Sequence, residues 1–314
     1  GSNHITLDTA VLTGAIGVST TGTSNFTLDN TTTAVNLGTV GVTGALSVTS
    51  GTTISDSSTI TVGGTATFVT DVNDVDIILN NTNAITGALT FTTQTGGSNG
   101  ADITLNNGST AISLAGFTTE GNLTLETTNA IALTGHTVNG NLSVTSAGAI
   151  TQSAALTVSG NSSFTGTGTD TNITLNTDTN AFTGSVTLTT AGTSGDVSID
   201  NGTTALGIQG TINGALTVRN GQVITDSGTL TVSGASSFTI DNGSNHITLD
   251  TAALTGAIGV STTGTSNFTL DNTTTAVNLG TVGVTGALSV TSGEAITDSG
   301  VITVTTTSSF TTDV

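Results

Sequence analysis

The sequence predicts an all-β fold, a parallel β-solenoid of the right-handed β-helix type. Three observations predict it: a recurring strand motif, turn residues between successive strands, and a composition suited to stacked coils. The strand motif has the form x-Ile-Thr-Leu. It begins near His4, Asn25, Thr53, Asp76, Asp102, Ala130, Ala149, Asn172, Asp196, Val223, His246, Asn267 and Ala295, so the interval varies between 19 and 28 and averages 24.2. A second apolar segment follows in most units, as in Val35-Asn-Leu37, Ile112-Ser-Leu114 and Leu206-Gly-Ile208. A third often follows a glycine, as in Leu46-Ser-Val48, Leu89-Thr-Phe91, Leu123-Thr-Leu125, Val186-Thr-Leu188 and Leu216-Thr-Val218. Three short strands divided by Gly, Asn, Asp, Ser and Thr make a coil of about 24 residues, and about 13 coils fill the 314-residue chain. Coils of about 18–20 residues also fit the long spacings but split the strand motifs, so the longer period is preferred.

The order along the chain is that of one array. Residues 1–72 recur at 243–314, an offset of 242, with 61 of 72 positions identical. A shorter module appears four times: GALSVTSGTTISDSSTITVGGTATF at 44–68, GNLSVTSAGAITQSAALTVSGNSSF at 140–164, GALTVRNGQVITDSGTLTVSGASSF at 214–238 and GALSVTSGEAITDSGVITVTTTSSF at 286–310. The separations of their starts (96, 74 and 72) correspond to four, three and three coils. Residues 1–314 therefore read as a single continuous solenoid without linker or separate domain, cut from a longer array.

Within each strand, side chains alternate with a period of two. In Ile5-Thr6-Leu7 the aliphatics point inward, and coiling is expected to stack Ile5, Phe26, Ile54, Ile77 and Ile103. The outward column is expected to be a hydroxyl ladder of Thr6, Thr27, Thr104, Thr151, Thr174, Ser198, Thr225, Thr248, Thr269 and Thr297, with a few other residues interspersed. Thirteen coils stacked about 4.8 Å apart would make a rod of roughly 60 Å. Proline, absent here, would remove a ladder hydrogen bond, and tryptophan, also absent, would overfill a narrow interior.

Charge removes whole classes of function. One Arg and no Lys stand against 20 carboxylates, a formal charge of −19, which leaves nothing to neutralise a row of phosphates. Nucleic acid is excluded as a partner, and so is an anionic membrane surface. No run of about 18 apolar residues is present, so no membrane insertion is expected. There is no cysteine for a disulfide or a thiolate metal site.

The remaining polar candidates read as structure. His4 and His246 are one position repeated, and His136 has a different setting; none has metal-ligand company at the usual spacing. Asp8, Asp29, Asp102, Asp200, Asp250 and Asp271 follow or precede strands as turn residues, with weak Ca²⁺ binding as the functional alternative. The run Gly96-Gly97-Ser98-Asn99-Gly100-Ala101-Asp102-Ile103 comes within one inserted residue of a calcium-binding nonapeptide, but occurs once. Three scattered histidines offer no base for a serine nucleophile, so no enzyme, no catalytic residue and no cofactor are expected. Phe68, Phe164, Phe238 and Phe310 are core fillers too far apart for one stack. Sequons at Asn25, Asn107, Asn122, Asn172 and Asn201 follow from an Asn-, Ser- and Thr-rich composition.

Modules such as GALTVRNGQVITDSGTLTVSGASSFT and GNLSVTSAGAITQSAALTVSGNSSFT resemble the repeat regions of very large bacterial surface proteins, the filamentous-haemagglutinin-like adhesins of two-partner and autotransporter secretion and their β-strand repeat relatives. The resemblance implies a right-handed β-helix exported unfolded, with a stalk, filament or adhesin role at the surface of a bacterial or archaeal cell. The expected function is thus a structural spacer that associates with itself, end to end or side by side. Ice binding through threonine arrays and a viral fibre shaft are the alternatives.

Overall fold

Strands of three to five residues bury their side chains only if another strand lies directly above or below, and here each finds that neighbour one coil along the chain. The computed structural model describes residues 2–94, 96, 100–272 and 274–313. Gly97, Ser98 and Asn99 of the calcium-like run lie outside the described residues. The chain forms two compact units, residues 1–148 and 149–314. Each is a parallel β-solenoid, and among the described residues there is no helix. Together they hold about 15 turns of about 20 residues.

In the first unit, Ile5–Leu7, Phe26–Asn30, Leu46–Ser50, Ala66–Asn73 and Leu89–Gln94 form one parallel sheet, in the register Ile5, Phe26, Leu46, Ala66, Leu89. A second column runs through Val35, Ile54, Ile77, Ile103, Leu123 and Leu142. In the second unit one column runs Ile150, Ile173, Val197, Leu216, Ser236, Ile258, and another Ile224, Ile247, Phe268, Leu288. The interior between columns is largely aliphatic, with the rings of Phe26, Phe68, Phe164, Phe182, Phe238 and Phe268 fully buried. Alternation holds in most strands, as in Phe26–Asn30 and Leu46–Ser50, where the inward residues are buried and the intervening Thr and Ser are partly exposed; Ile5 and Leu7, expected inside, are exposed, and Ser308–Thr312 is exposed along its length.

The coil is shorter than the motif spacing predicts. Phe26 lies under Leu46 and Leu46 under Ala66, a step of 20 in each case, and Leu123 under Leu142 is a step of 19. The step reaches 26 only from Ile77 to Ile103. The cause lies in the strand motif. Motif counting places Leu46-Ser-Val48 on a later face of the coil begun by Phe26, yet it lies directly on Phe26-Thr-Leu28. Ile54, expected above Phe26, pairs instead with Val35 and Ile77 in another column. Every face uses the same aliphatic–hydroxyl–aliphatic pattern, so the motif marks a strand without marking its face.

Corners are tight because glycines stack. A Cβ on Gly64 would lie 2.6 Å from the Gly44 carbonyl oxygen, and one on Gly87 would lie 2.2 Å from that of Gly64. Gly234 over Gly214 and Gly256 over Gly234 repeat the arrangement in the second unit, at 2.5 and 2.2 Å. None of these glycines has a positive φ, so the corner requires the missing side chain and not a left-handed backbone. Because the obstacle is main chain, it has no rotamer by which to yield. Gly64→Ala is expected to destabilise the first unit by about 1–3 kcal/mol. Gly41→Ala, whose Cβ would meet nothing nearer than 3.9 Å, is the matched control. Thermal melts followed by circular dichroism compare the two, and equal melting temperatures would refute the close-approach argument.

Candidate functional site

The polar side chains are organised by the coil. The residue that opens many strands is Asn, Asp or His, and its side chain accepts a main-chain N–H from the next turn. In the first unit Asp76 Oδ1 accepts from Asp102 (2.9 Å), Asp102 Oδ1 from Asn122 (2.7 Å), and Asn122 Oδ1 from Asn141 (2.8 Å). Asn25 Oδ1 serves Ala45 in the same way. The second unit has Asn172 to Asp196, Asp196 to Ala215 and Asn267 to Ala287. His4 and His246 occupy this same position: each Nδ1 accepts the N–H of the residue one turn on, Asn25 or Asn267, at 3.0 Å. They serve as turn acceptors.

A second device is buried. Asn30, Asn107, Asn201 and Asn272 are completely inaccessible. Asn201 Oδ1 accepts from Phe182 N at 2.7 Å, while its Nδ2 donates to the carbonyls of Phe182, Thr204 and Ala205, each at 3.1 Å. Asn107 does the same with Ile85, Thr110 and Ala111, and Asn272 with Leu254, Thr275 and Ala276. The amide takes the place of a strand residue, meeting both the donor and the acceptor of the preceding turn, and also ties down the bend that follows it. The local sequence is Asn-x-Ser/Thr-Thr-Ala: Asn30-Thr-Thr-Thr-Ala34, Asn107-Gly-Ser-Thr-Ala111, Asn201-Gly-Thr-Thr-Ala205 and Asn272-Thr-Thr-Thr-Ala276. Sequence reasoning sees Asn107 and Asn201 only as sequons. The signal is present in the recurring Thr-Ala that follows.

The hydroxyl ladder is several shorter ladders. Thr6 and Thr27 are neighbours in one, continued by Ser47, Thr67 and Thr90. Thr104 stands between Ile78 and Thr124. Thr151, Thr174 and Ser198 adjoin one another, as do Thr225, Thr248 and Thr269, and Thr297 pairs with Asn278. Of the aspartates, Asp102 is spent on Asn122, both through its main-chain N–H and its side-chain amide. Asp8 adjoins Asp29, and Asp250 adjoins Asp271, by the register of their strands. One oxygen each of Asp29 and Asp271 is buried without a hydrogen-bond partner. The Asp226 carboxylate, by hydrogen bond and by charge, raises the Asp250 carboxyl above its usual range.

The lone cation sits in this acidic setting. Arg219 Nη2 meets Asp241 at 2.7 Å and Nη1 meets Asp200 at 3.5 Å. Burial pushes the Asp200 carboxyl up, outweighing the Gly202 N–H and the Arg219 charge that favour its anion. Elsewhere Asp170, exposed and accepting from the N–H groups of Thr193 and Ser194, is lowered by those bonds. His136 is the outlier. It is 1% exposed, neither ring nitrogen has a partner, and its ring meets Phe117 edge-on at 5.0 Å. Phe117 continues to Phe91 and Phe91 to Phe68, a four-ring file that the spacing of the phenylalanines in the sequence does not reveal. Phe164, by contrast, meets Phe182.

This arrangement holds backbone to backbone. His4 and His246 are turn acceptors, and His136 is sealed in the core without a hydrogen-bond partner. Among the described residues no group of three or more His, Asp or Glu side chains is placed to hold a metal ion. A family described as repeats of unknown function (DUF5649) matches residues 23–92, 120–189, 194–261 and 265–314. The starts of these segments, at 23, 120, 194 and 265, are spaced much like those of the module in the sequence, at 44, 140, 214 and 286. No curated protein and no solved structure matches the chain.

Proposed function

The chain belongs to that DUF5649 repeat family, and from this premise we propose that it is a structural segment: an elongated spacer within an extracellular filament, stalk or giant adhesin at a bacterial or archaeal cell surface, without catalytic activity. One observation carries the reading: the Asx and His side chains that open strands, His4 and His246 among them, and the buried Asn side chains are engaged coil to coil with main-chain groups, and the same engagement recurs with the repeat. Such a design gains length by adding turns, each resting only on its neighbours. Self-association belongs to the same proposal, and any Ca²⁺ bound to the acidic rows would be weak and would screen charge between chains.

Ice binding has less support. The doublets Ser163/Thr165 and Thr187/Thr189 lie in register, but Gln209 interrupts one column at the next turn. The phase of the repeat supplies the test. Val314 occupies the position of Val72, so residues 73–314 can be appended after Val314 without breaking the pattern. The added segment, at about 20 residues per turn and about 4.8 Å per turn, is expected to lengthen the particle by roughly 55–60 Å. Electron micrographs or small-angle scattering measure this. A tandem chain no longer than the original, or one that unfolds, would refute the spacer reading.

A further inference from the structure

Seven Asn-Gly steps are present, at Asn99, Asn107, Asn139, Asn201, Asn213, Asn220 and Asn242. An asparagine before glycine is open to attack by the next main-chain nitrogen, because glycine has no side chain to shield that nitrogen or to restrict its approach. The coil protects six of them. The N–H groups of Gly100, Gly108 and Gly202 donate to Oδ1 of Asp74, Asn106 and Asp200, each at 2.9 Å. Those of Gly140, Gly214 and Gly221 donate to the carbonyls of Gly121, Gly195 and Gly202, at 3.1, 3.0 and 2.7 Å. The side chain under attack is held as well in most of these steps. Asn107, Asn201 and Asn220 are completely inaccessible, and the amides of Asn139 and Asn213 donate to Glu120 Oε2 and the Thr190 carbonyl, each at 2.8 Å.

Asn242-Gly243 is different. Both residues are exposed, and among the described residues neither the Asn242 side chain nor the Gly243 N–H has a hydrogen-bond partner. The bonds at this bend fall around the reacting atoms and not on them. Asn245 Nδ2 donates to the carbonyls of Asn242 and Gly221, at 3.0 and 2.9 Å, and the Thr263 hydroxyl donates to the Gly243 carbonyl at 3.3 Å. Gly243 lies at φ +69°, so the bend itself calls for glycine here.

We infer that Asn242-Gly243 is a self-modification site, where the asparagine of the folded protein converts to aspartate and isoaspartate with water as the co-reactant. The Gly243 nitrogen gives up its proton and bonds to Asn242 Cγ. The Cγ–Nδ2 bond breaks, and the nitrogen leaves as ammonia with that proton, so a cyclic imide remains. Water then opens the ring. Opening at Cγ restores the main chain with an aspartate side chain; opening at the α-carbonyl routes the main chain through Cγ as isoaspartate, longer by a methylene. Asn242 lines the pocket in which Arg219 meets Asp200 and Asp241, with Asp178 also in its wall. The product therefore sets a further carboxylate beside the lone cation, and the net negative charge grows as the protein ages. This chemistry is independent of the spacer reading and holds whatever the segment does.

Hydroxylamine tests it, since it opens the imide and cuts the chain before the glycine. The folded chain, treated at mildly alkaline pH with its β-sheet circular dichroism signal intact, is expected to give chiefly 1–242 and 243–314. The same chain in urea is expected to be cut at all seven steps. Without hydroxylamine, peptic mapping by mass spectrometry is expected to show Asn242 converting at least about tenfold faster than the other six, which react only from locally opened states. Asn242→Gln, whose longer side chain does not close the small ring, is expected to abolish the cut and leave the melting temperature unchanged. An Asn242 no faster than the other six in the folded chain, one fragment pattern for folded and unfolded protein, or a cut that survives Asn242→Gln would overturn the site.

Discussion

Asn201→Ala is expected to destabilise the second unit by about 3–6 kcal/mol. The change removes few atoms, so little of the effect comes from lost packing. What it leaves behind is costly. The Phe182 N–H and the carbonyls of Phe182 and Ala205 face a site with no solvent access and are met by the Asn201 amide, while the Thr204 carbonyl, which it also meets, keeps the Asn220 amide as a second donor. Each buried main-chain group left without a partner costs about 1–3 kcal/mol, tempered by whatever relaxation the bend permits. Asn201→Asp is the sharper experiment. It keeps the shape and the acceptor toward Phe182 N, but turns two N–H donors into a lone pair or a charge aimed at three carbonyl oxygens. Its stability is therefore expected to fall further as pH rises and the carboxyl ionises. Urea denaturation followed by circular dichroism measures both variants. Losses below about 1 kcal/mol in both would show that the amide is not a strand surrogate.

The same amide marks what can be read from the chain alone. The strands are legible, because an aliphatic, a hydroxyl and an aliphatic can satisfy a half-buried strand in only one orientation. Their stacking is legible too, since 61 of 72 positions recur without any change in that pattern. The face is not. Phe26-Thr-Leu28, Leu46-Ser-Val48 and Ile54-Ser-Asp56 begin with the same alternation, so counting motifs joins strands from neighbouring turns and lengthens the coil. Site chemistry divides along a similar line. His4 and His246 stand out as turn residues in the sequence, because their strand context can be seen. Asn107 and Asn201 draw attention through the two residues after them, whereas their role depends on an N–H and a carbonyl 22 and 19 residues earlier. Contacts at that distance are fixed by the coil period, and a period taken too long points the side chain at the wrong partner.

His136→Phe is expected to stabilise the first unit, and by an amount that grows with acidity. The imidazole lies in the core with both nitrogens unpartnered, and burial lowers its pKa from 6.5 to about 4. In the unfolded chain the ring takes up a proton near 6.5; in the folded chain it resists until about 4. Between those limits the unfolded state binds more protons, so stability falls as pH falls through the window, by on the order of 3 kcal/mol in all. Above it only the cost of two unsatisfied nitrogens remains, about 1–3 kcal/mol. Phenylalanine removes both penalties and extends the file of Phe68, Phe91 and Phe117 by one ring. His136→Leu guards against the alternative that the larger ring overfills the site, since it removes the nitrogens without enlarging the side chain greatly. The carboxylates titrate alike in all three proteins, so the informative quantity is the difference between variant and parent at each pH. Hydrogen exchange at the amides of Ile131–Ser146 reports the local stability even where the repeat does not unfold in one step. A difference that widens from pH 6.5 toward pH 4 is the expected result. A flat difference, or one that narrows on acidification, would mean that the folded ring takes up its proton as readily as the unfolded one, and that its nitrogens are not sealed from water.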